Sequence, residues 1–281
     1  MTTAALPPDA PPEMVIRPPG RFDLDLPELW RERELLVFLA SRTIRIRYKQ
    51  ALAGPAWAVF QPLLSMVVFS LVFGNLAKLP ANGLPYPVFY YSGLVIWTFF
   101  ANGITQGTSA IVDNQQMVSK IYFPRAFLPL SGPLASLVDL GVATVICIPL
   151  FFAFRHAPAL TTPLVVIPTL VALVAASGVS LLLGALNAKY RDVRFTVPFL
   201  VQAGLFASPV AYATSLVPER WRLLYSLNPM AGVIDGFRWA LTGVGGVPFA
   251  SLGVSAASAV LLLLVGAWYF SRVEGTIADV V

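Results

Sequence analysis

Charge is scarce in this chain. Only 12% of its 281 residues are Asp, Glu, Lys or Arg, while 57% are apolar; a soluble domain carries roughly 25% charged residues. The few charges are also clustered. Residues 50–77, 79–112, 156–188, 195–218 and 239–271 carry none, and 126–154 carries only Asp139. Each gap exceeds the ~20 largely apolar residues that a helix needs to cross a ~30 Å hydrocarbon core. Soluble enzymes, secreted scaffolds and nucleic-acid-binding domains are thereby excluded. Cysteine is nearly absent: Cys147 stands alone, which rules out a disulfide framework or a thiolate metal cluster and suits a small packed side chain. His156, the only histidine, sits beside Arg155 at the edge of an apolar run, as an ordinary loop residue does. There is no HExxH, no carboxylate pair within an apolar run and no GxxxxGK[ST] phosphate loop. Asp139 is the one acidic residue at membrane depth, a functional candidate by position. Without a companion Glu, Lys or His in any run it reads first as polar glue between helices. No ATP site and no multi-group proton relay is present, so energy for any transport comes from elsewhere.

What remains is an all-α membrane protein. Six transmembrane helices are expected at about 56–77, 87–110, 128–151, 161–185, 196–214 and 250–270. With both termini cytoplasmic, the inside segments hold Arg17, Arg21, Arg31, Arg33, Arg42, Arg45, Arg47, Lys49, Lys120, Arg125, Lys189, Arg191, Arg194 and Arg272. The outside segments hold only Lys78, Arg155, Arg220, Arg222 and Arg238. That asymmetry fixes the orientation. The first apolar run begins only after residue 50, so no cleavable signal is expected. The net charge of +5 therefore concerns orientation rather than an acidic partner.

Residues 1–25, with Pro7-Pro8, Pro11-Pro12 and Pro18-Pro19, cannot build a core and read as a disordered cytoplasmic tail. Asp25-Leu26-Pro27-Glu28 looks like a helix start. From there to Lys49, the residues Leu29, Trp30, Leu36, Val37, Ala40 and Ile44 form one stripe, opposite Arg31, Glu34, Arg42, Arg45 and Lys49. Such a helix lies in the membrane interface, or else simply anchors the first span; Gly54-Pro55 turns the chain inward. Between spans, the loop 113–125 is short, amphipathic and closed by Pro124, which favours a brief helix beneath the membrane. The loop 187–195 carries Lys189-Tyr190-Arg191-Asp192-Val193-Arg194. Both loops suit docking surfaces or plain solvated turns. The outer region 215–249 holds apolar pieces too short to span, broken by Asn228-Pro229, and so predicts short re-entrant helices between spans five and six. In the fourth span, Ala172, Ala176, Ser180, Gly184 and Ala188 make a small-residue seam. In the fifth, Phe195, Phe199, Gln202 and Phe206 share a face that suits either packing or a channel for sugar rings.

Several short motifs occur in order. Arg45-Ile46-Arg47-Tyr48-Lys49-Gln50 is followed by Gly54-Pro55-Ala56-Trp57 and Gln61-Pro62. Then come Lys120-Ile121-Tyr122-Phe123-Pro124-Arg125, Tyr190-Arg191-Asp192, Asn228-Pro229-Met230 and Gly236-Phe237-Arg238. Together, over about 26–275, they resemble the type-2 ABC exporter permeases that export O-antigen, capsule and teichoic acid polymers. The resemblance implies a homodimer of six-span subunits in the bacterial inner membrane, with two copies of a separate ABC ATPase that binds ATP and Mg, and no cofactor in this chain. It implies one membrane unit over 26–281, with an N-terminal amphipathic interface helix at 27–48, a coupling loop at 113–125 and a periplasmic gate region at 215–249. Coupling to the ATPase is expected of Arg42, Lys120, Tyr122, Phe123 and Arg125, channel lining of Trp57, Phe60, Phe199, Gln202 and Phe206, and gating of Trp221, Tyr225, Asn228 and Arg238. The implied function is transport rather than catalysis: a permease for a lipid-linked polysaccharide. The alternatives are a same-fold exporter of a drug or small lipid, an ion-gradient-driven secondary transporter, and a membrane-embedded glycan enzyme.

Overall fold

A computed structural model describes residues 26–49, 55–120, 123–190 and 192–280, and among them every regular element is helical. The proline-rich tail, Gly54, Tyr122 and Arg191 lie outside the described residues. Helices α1 (Leu26–Arg31) and α2 (Arg33–Lys49) lead to α3 (Pro55–Phe69), which runs into a π-helical segment Ser70–Leu76. Then come α4 (Tyr86–Asp113), the short α5 (Gln115–Lys120) and α6 (Phe127–Ala153). A 3-10 turn Thr162–Val165 opens α7 (Val166–Lys189), followed by α8 (Val193–Ala207), α9 (Glu219–Tyr225), α10 (Pro229–Thr242) and α11 (Phe249–Val280).

The organising element is α4. Every residue from 88 to 97 is buried, which is the signature of a helix enclosed on all sides rather than one with a single apolar stripe. It packs against α6, α7 and α10, while α3 and α8 lie along its remaining side. Three helical stretches, Phe127–Ala153, Thr162–Lys189 and Phe249–Gly275, are both long and apolar enough to cross a membrane by length and composition. Phe60–Leu76 and Val193–Ala207 are apolar but shorter. Helix α4 matches the first group in length, and its tyrosines, glycines and threonines suit contact with neighbouring helices rather than with lipid.

The expected seam in α7 is a packing seam: Ala172, Ala176, Ser180, Gly184 and Ala188 are all buried. Backbones meet there because side chains are missing. A Cβ on Gly132 of α6 would lie 2.5 Å from the Gly107 nitrogen of α4, and Gly184 lies close to the Gly107 carbonyl and Pro129. On the other flank of α7, a Cβ on Gly178 would lie 2.5 Å from the backbone of Leu262 and Leu263 in α11. A Gly178→Leu protein must part those two helices. Its expected cost is about 3 kcal/mol, the upper end for overpacking, read as a lowered thermal midpoint of the purified protein in detergent.

One local expectation is adjusted. The fifth span was placed to residue 214, but α8 ends at Ala207, and Ser208 is extended at φ −113°, ψ 153°. Pro209 follows, and a proline pushes the residue before it out of the α region. In the amphipathic segment, Leu29, Leu36, Ala40 and Ile44 face the protein, whereas Trp30 and Val37 are exposed. The covered face follows Leu36, Leu39, Ala40, Thr43, Ile44 and Arg47, so a basic residue, rather than only apolar ones, lies on it.

Candidate functional site

A cavity of about 1020 Å³ opens between α3 and α8, with α4 as its floor and α2 and α6 along one side. At one end Phe69 stacks on Tyr90, with ring centroids 4.6 Å apart, and meets Phe206 at 6.4 Å, so three helices contribute one ring each. Trp97 follows one face down α4. Gly204 makes room for it: a Cβ there would lie 2.8 Å from the indole. Farther along α4 the lining turns polar, with Asn102 and Gln106, joined by Gln61 of α3 and Gln202 of α8. Gln106 donates to the Asn102 carbonyl at 3.0 Å and to Ser136 at 3.3 Å. Among the described residues its Oε1 and the Tyr90 hydroxyl have no hydrogen-bond partner, and both side chains line the cavity. The arrangement offers apolar ring faces and amide edges together, as a sugar ring does.

The opposite end of the cavity is ionic. Asp139 of α6 pairs with Arg47 of α2 and accepts a hydrogen bond from the Tyr48 hydroxyl. Burial, and then the neighbouring Asp139 carboxylate, raise the Tyr48 phenol above its usual value, so it stays protonated and donates at neutral pH. The reading of Asp139 as glue between helices thus acquires partners, both from the amphipathic helix.

Beyond this end lies a second cluster of buried side chains. Leu39 of α2, Ile111 of α4, Val118 of α5, Phe123 and Phe127 meet there with Phe270 of α11. The expected coupling residues gather around it. Arg42 donates to the Asn114 side chain at 2.7 Å. Lys120 is exposed at the end of α5. Phe123 is buried rather than displayed, and Arg125 donates to the Glu274 carbonyl at 2.6 Å. Tyr122 lies outside the described residues.

Of the expected channel residues, Gln202 and Phe206 of α8 line the cavity, while Phe60 of α3 and Phe199 of α8 are exposed outside its lining. Trp57 lies in α3, with its side chain outside the described set. The expected gate residues fall on α9 and α10. Trp221 is exposed, and the Tyr225 hydroxyl lies 2.9 Å from that of Tyr212. Asn228 caps α10 by accepting from the Met230 amide at 3.0 Å, and its Nδ2 donates to Ser208 Oγ at 2.9 Å. Arg238 is buried. Its guanidinium lies 3.7 Å over the Phe89 ring, pairs with Asp235 at 3.2 Å, and donates to the carbonyls of Phe89 at 3.1 Å and Pro209 at 2.8 Å. Arg238 thus ties α10, α4 and the break after α8 into one joint. Thr214 donates to Asp235 at 2.6 Å and completes it.

The sequence profile of ABC-2 type transporters matches residues 34–242. The chain belongs to the ABC-2 type transporter family. It is 28% identical over 252 residues to the O-antigen export system permease protein RfbA of Myxococcus xanthus, covering 88% of this chain and 95% of that protein. It is 24% identical over 251 residues, with the same coverage, to the protein of that name from Klebsiella pneumoniae. It also resembles the polysialic acid transport protein KpsM of Escherichia coli, at 20% over 204 residues, 72% of this chain and 79% of that one. The matched region of this ABC-2 chain runs from α2 through α10 and so contains the cavity and the Arg238 joint, while Phe270 of the second cluster lies beyond it. Sequence reasoning missed Tyr48 as a partner of Asp139, Phe69 and Tyr90 as the rings beside the expected Phe206, and Phe89 beneath Arg238. For Tyr90 and Phe89 the one available signal was the density of aromatics in 86–100.

Proposed function

We propose that the chain is the permease subunit of an ATP-driven exporter that moves a lipid-linked, O-antigen-like polysaccharide across the bacterial cytoplasmic membrane. It acts as a homodimer with two copies of a separate ATPase, which binds ATP and Mg; this chain holds no cofactor. The observation that carries the reading is the cavity: aromatic faces from Phe69, Tyr90, Trp97 and Phe206, and amides from Gln61, Asn102, Gln106 and Gln202, in one open trough. Sugars present apolar faces and hydroxyl edges, and the amides of Gln61, Asn102 and Gln202 in the lining suit those edges. The names of the RfbA and KpsM relatives support the same substrate class.

In this reading α3, α4, α6, α7, α8 and α11 are six spans with both termini cytoplasmic, and α1–α2 is the interface helix. Residues 26–281 form one membrane unit. The open side of the trough, with Phe60 and Phe199 at its rims, faces the second copy, so that two troughs enclose one channel. Helices α9 and α10 are re-entrant and close the periplasmic end, with Arg238 and Asn228 holding them to α4 and α8. Lys120, Tyr122, Arg42 and the structure around Phe123 and Arg125 receive the ATPase.

In cells lacking this permease, the polymer is expected to be made but retained on the cytoplasmic side, with surface glycan lost. Surface glycan unchanged in amount and length would remove the polysaccharide reading and favour export of a drug or small lipid by the same fold.

A further inference from the structure

Asp139 is the single charge in the apolar run 126–154, and both of its partners come from α2. The path of α2 explains how. Leu39 packs into the cluster with Ile111, Val118 and Phe127, and Arg42 bonds Asn114 beside it. Eight residues on from Leu39, about 12 Å at 1.5 Å per residue, Arg47 meets Asp139. Asp139 is itself about 18 Å along α6 from Phe127. Helix α2 therefore climbs beside α6 instead of stopping at its end. Its last two turns supply Thr43, Ile46, Arg47 and Tyr48 to the cavity wall.

What holds that end in place is mostly one carboxylate. Apolar burial is concentrated in the middle of the helix, where Leu39 and Ala40 are the buried residues of α2, whereas Ile46 is exposed. The Arg47 and Asp139 side chains are 29% and 11% exposed, so the pair is shielded from screening and either charge alone is unfavourable at this depth. The same helix is tied to the start of α5 by the Arg42–Asn114 bond, and Leu39 shares one apolar cluster with Val118 of α5. One rigid element thus joins the short helix between the second and third spans to the wall of the cavity.

We propose that Asp139 is a positioning residue: it latches the end of α2 across the inner mouth of the cavity, so that displacement of α5 is delivered to the cavity wall. The consequence for export rests on the function proposed above; the latch itself does not. The bland competitor is that Asp139 merely neutralises Arg47.

The test uses the full-length permease with its ATPase in membranes, carrying spin labels at Ile46→Cys and Val142→Cys in a Cys147→Ser background. The unaltered pair should give one narrow distance. Asp139→Asn should broaden it and add a population longer by roughly 5 Å, about one helical turn, while Asp139→Glu stays narrow. Export should fall about tenfold in Asp139→Asn with ATP hydrolysis retained, a size typical of coupling between sites. The deciding variant is Arg47→Gln with Asp139→Asn, which leaves no unpaired charge to disturb folding. A latch predicts the broadened distance and lost export again. Narrow distances and full export in that double variant would overturn the proposal, as would an unchanged distance in Asp139→Asn. Because the distances need no substrate, a responsive latch in a protein that moves no polysaccharide would uphold the latch and remove the polysaccharide reading instead.

Discussion

Replacing Arg238 by methionine is expected to remove about 3–5 kcal/mol from the fold, the cost of breaking a buried ion pair from one side. Against a typical total of about 5–15 kcal/mol, little folded protein should survive purification. The size follows from what is orphaned. Asp235 loses its ion partner, the Pro209 carbonyl loses the Arg238 donor, the Phe89 carbonyl loses one of its two side-chain donors, and the Phe89 ring loses its cation. Lysine is a poor substitute, because a point-charge ammonium cannot reproduce the planar fork that reaches Asp235 and two carbonyls at once. Space is also fixed: a Cβ on Gly93 would lie 2.6 Å from Arg238 Nη2. Adding Asp235→Asn to Arg238→Met removes the unpaired carboxylate and should recover part, though not all, of the lost stability. Thermal unfolding of the purified variants measures both effects. An Arg238→Met protein within about 1 kcal/mol of the parent, the scale of a single neutral hydrogen bond, would show that the joint does not hold α10 to α4.

The second large effect is on coupling. Replacing the segment from Lys120 to Arg125 with Gly and Ser should leave the protein inserted while export falls at least tenfold, roughly the span of a coupling energy of 1–3 kcal/mol, and ATP hydrolysis continues. Two of the positions have structural duties that complicate this variant. Phe123 is buried in the cluster with Leu39 and Val118, and Arg125 holds the Glu274 carbonyl of α11. A cleaner form changes only Lys120 and Tyr122 to Ser and keeps Phe123 and Arg125. Loss of export with hydrolysis retained supports the coupling role. Normal export by that variant would refute it.

Much of the fold was readable from where charge is absent. The gaps around 126–154, 156–188 and 239–271 correspond to α6, α7 and α11, because a helix facing lipid tolerates few ionised groups. The four-residue spacing of Ala172, Ala176, Ser180, Gly184 and Ala188 identified the α7 seam for an equally simple reason: close backbones require small side chains. The site was less legible. Asp139 stood out by its isolation, but its partners lie 92 and 91 residues away, and only a helix climbing beside α6 brings them together. Arg238 was named without its acceptors, since backbone carbonyls leave no mark in a sequence. Trp30 and Val37 were read on one continuous apolar stripe with Leu36 and Ala40, whereas α1 and α2 are separate helices on either side of Glu32. The end of α8 was legible in principle, because Ser208-Pro209 is a stop signal inside an otherwise unbroken apolar run.

The central claim is that this cavity conducts a lipid-linked polysaccharide under power from a separate ATPase. Its most direct measurement is reconstitution of the permease and that ATPase in vesicles loaded with the radiolabelled lipid-linked polymer on one face. ATP should move the label to the opposite face. A Gly204→Trp permease, whose new side chain must displace the Trp97 indole within the cavity, should retain ATP hydrolysis and block movement. Label that crosses equally without ATP or without the ATPase, or that crosses unhindered through Gly204→Trp, would contradict the account.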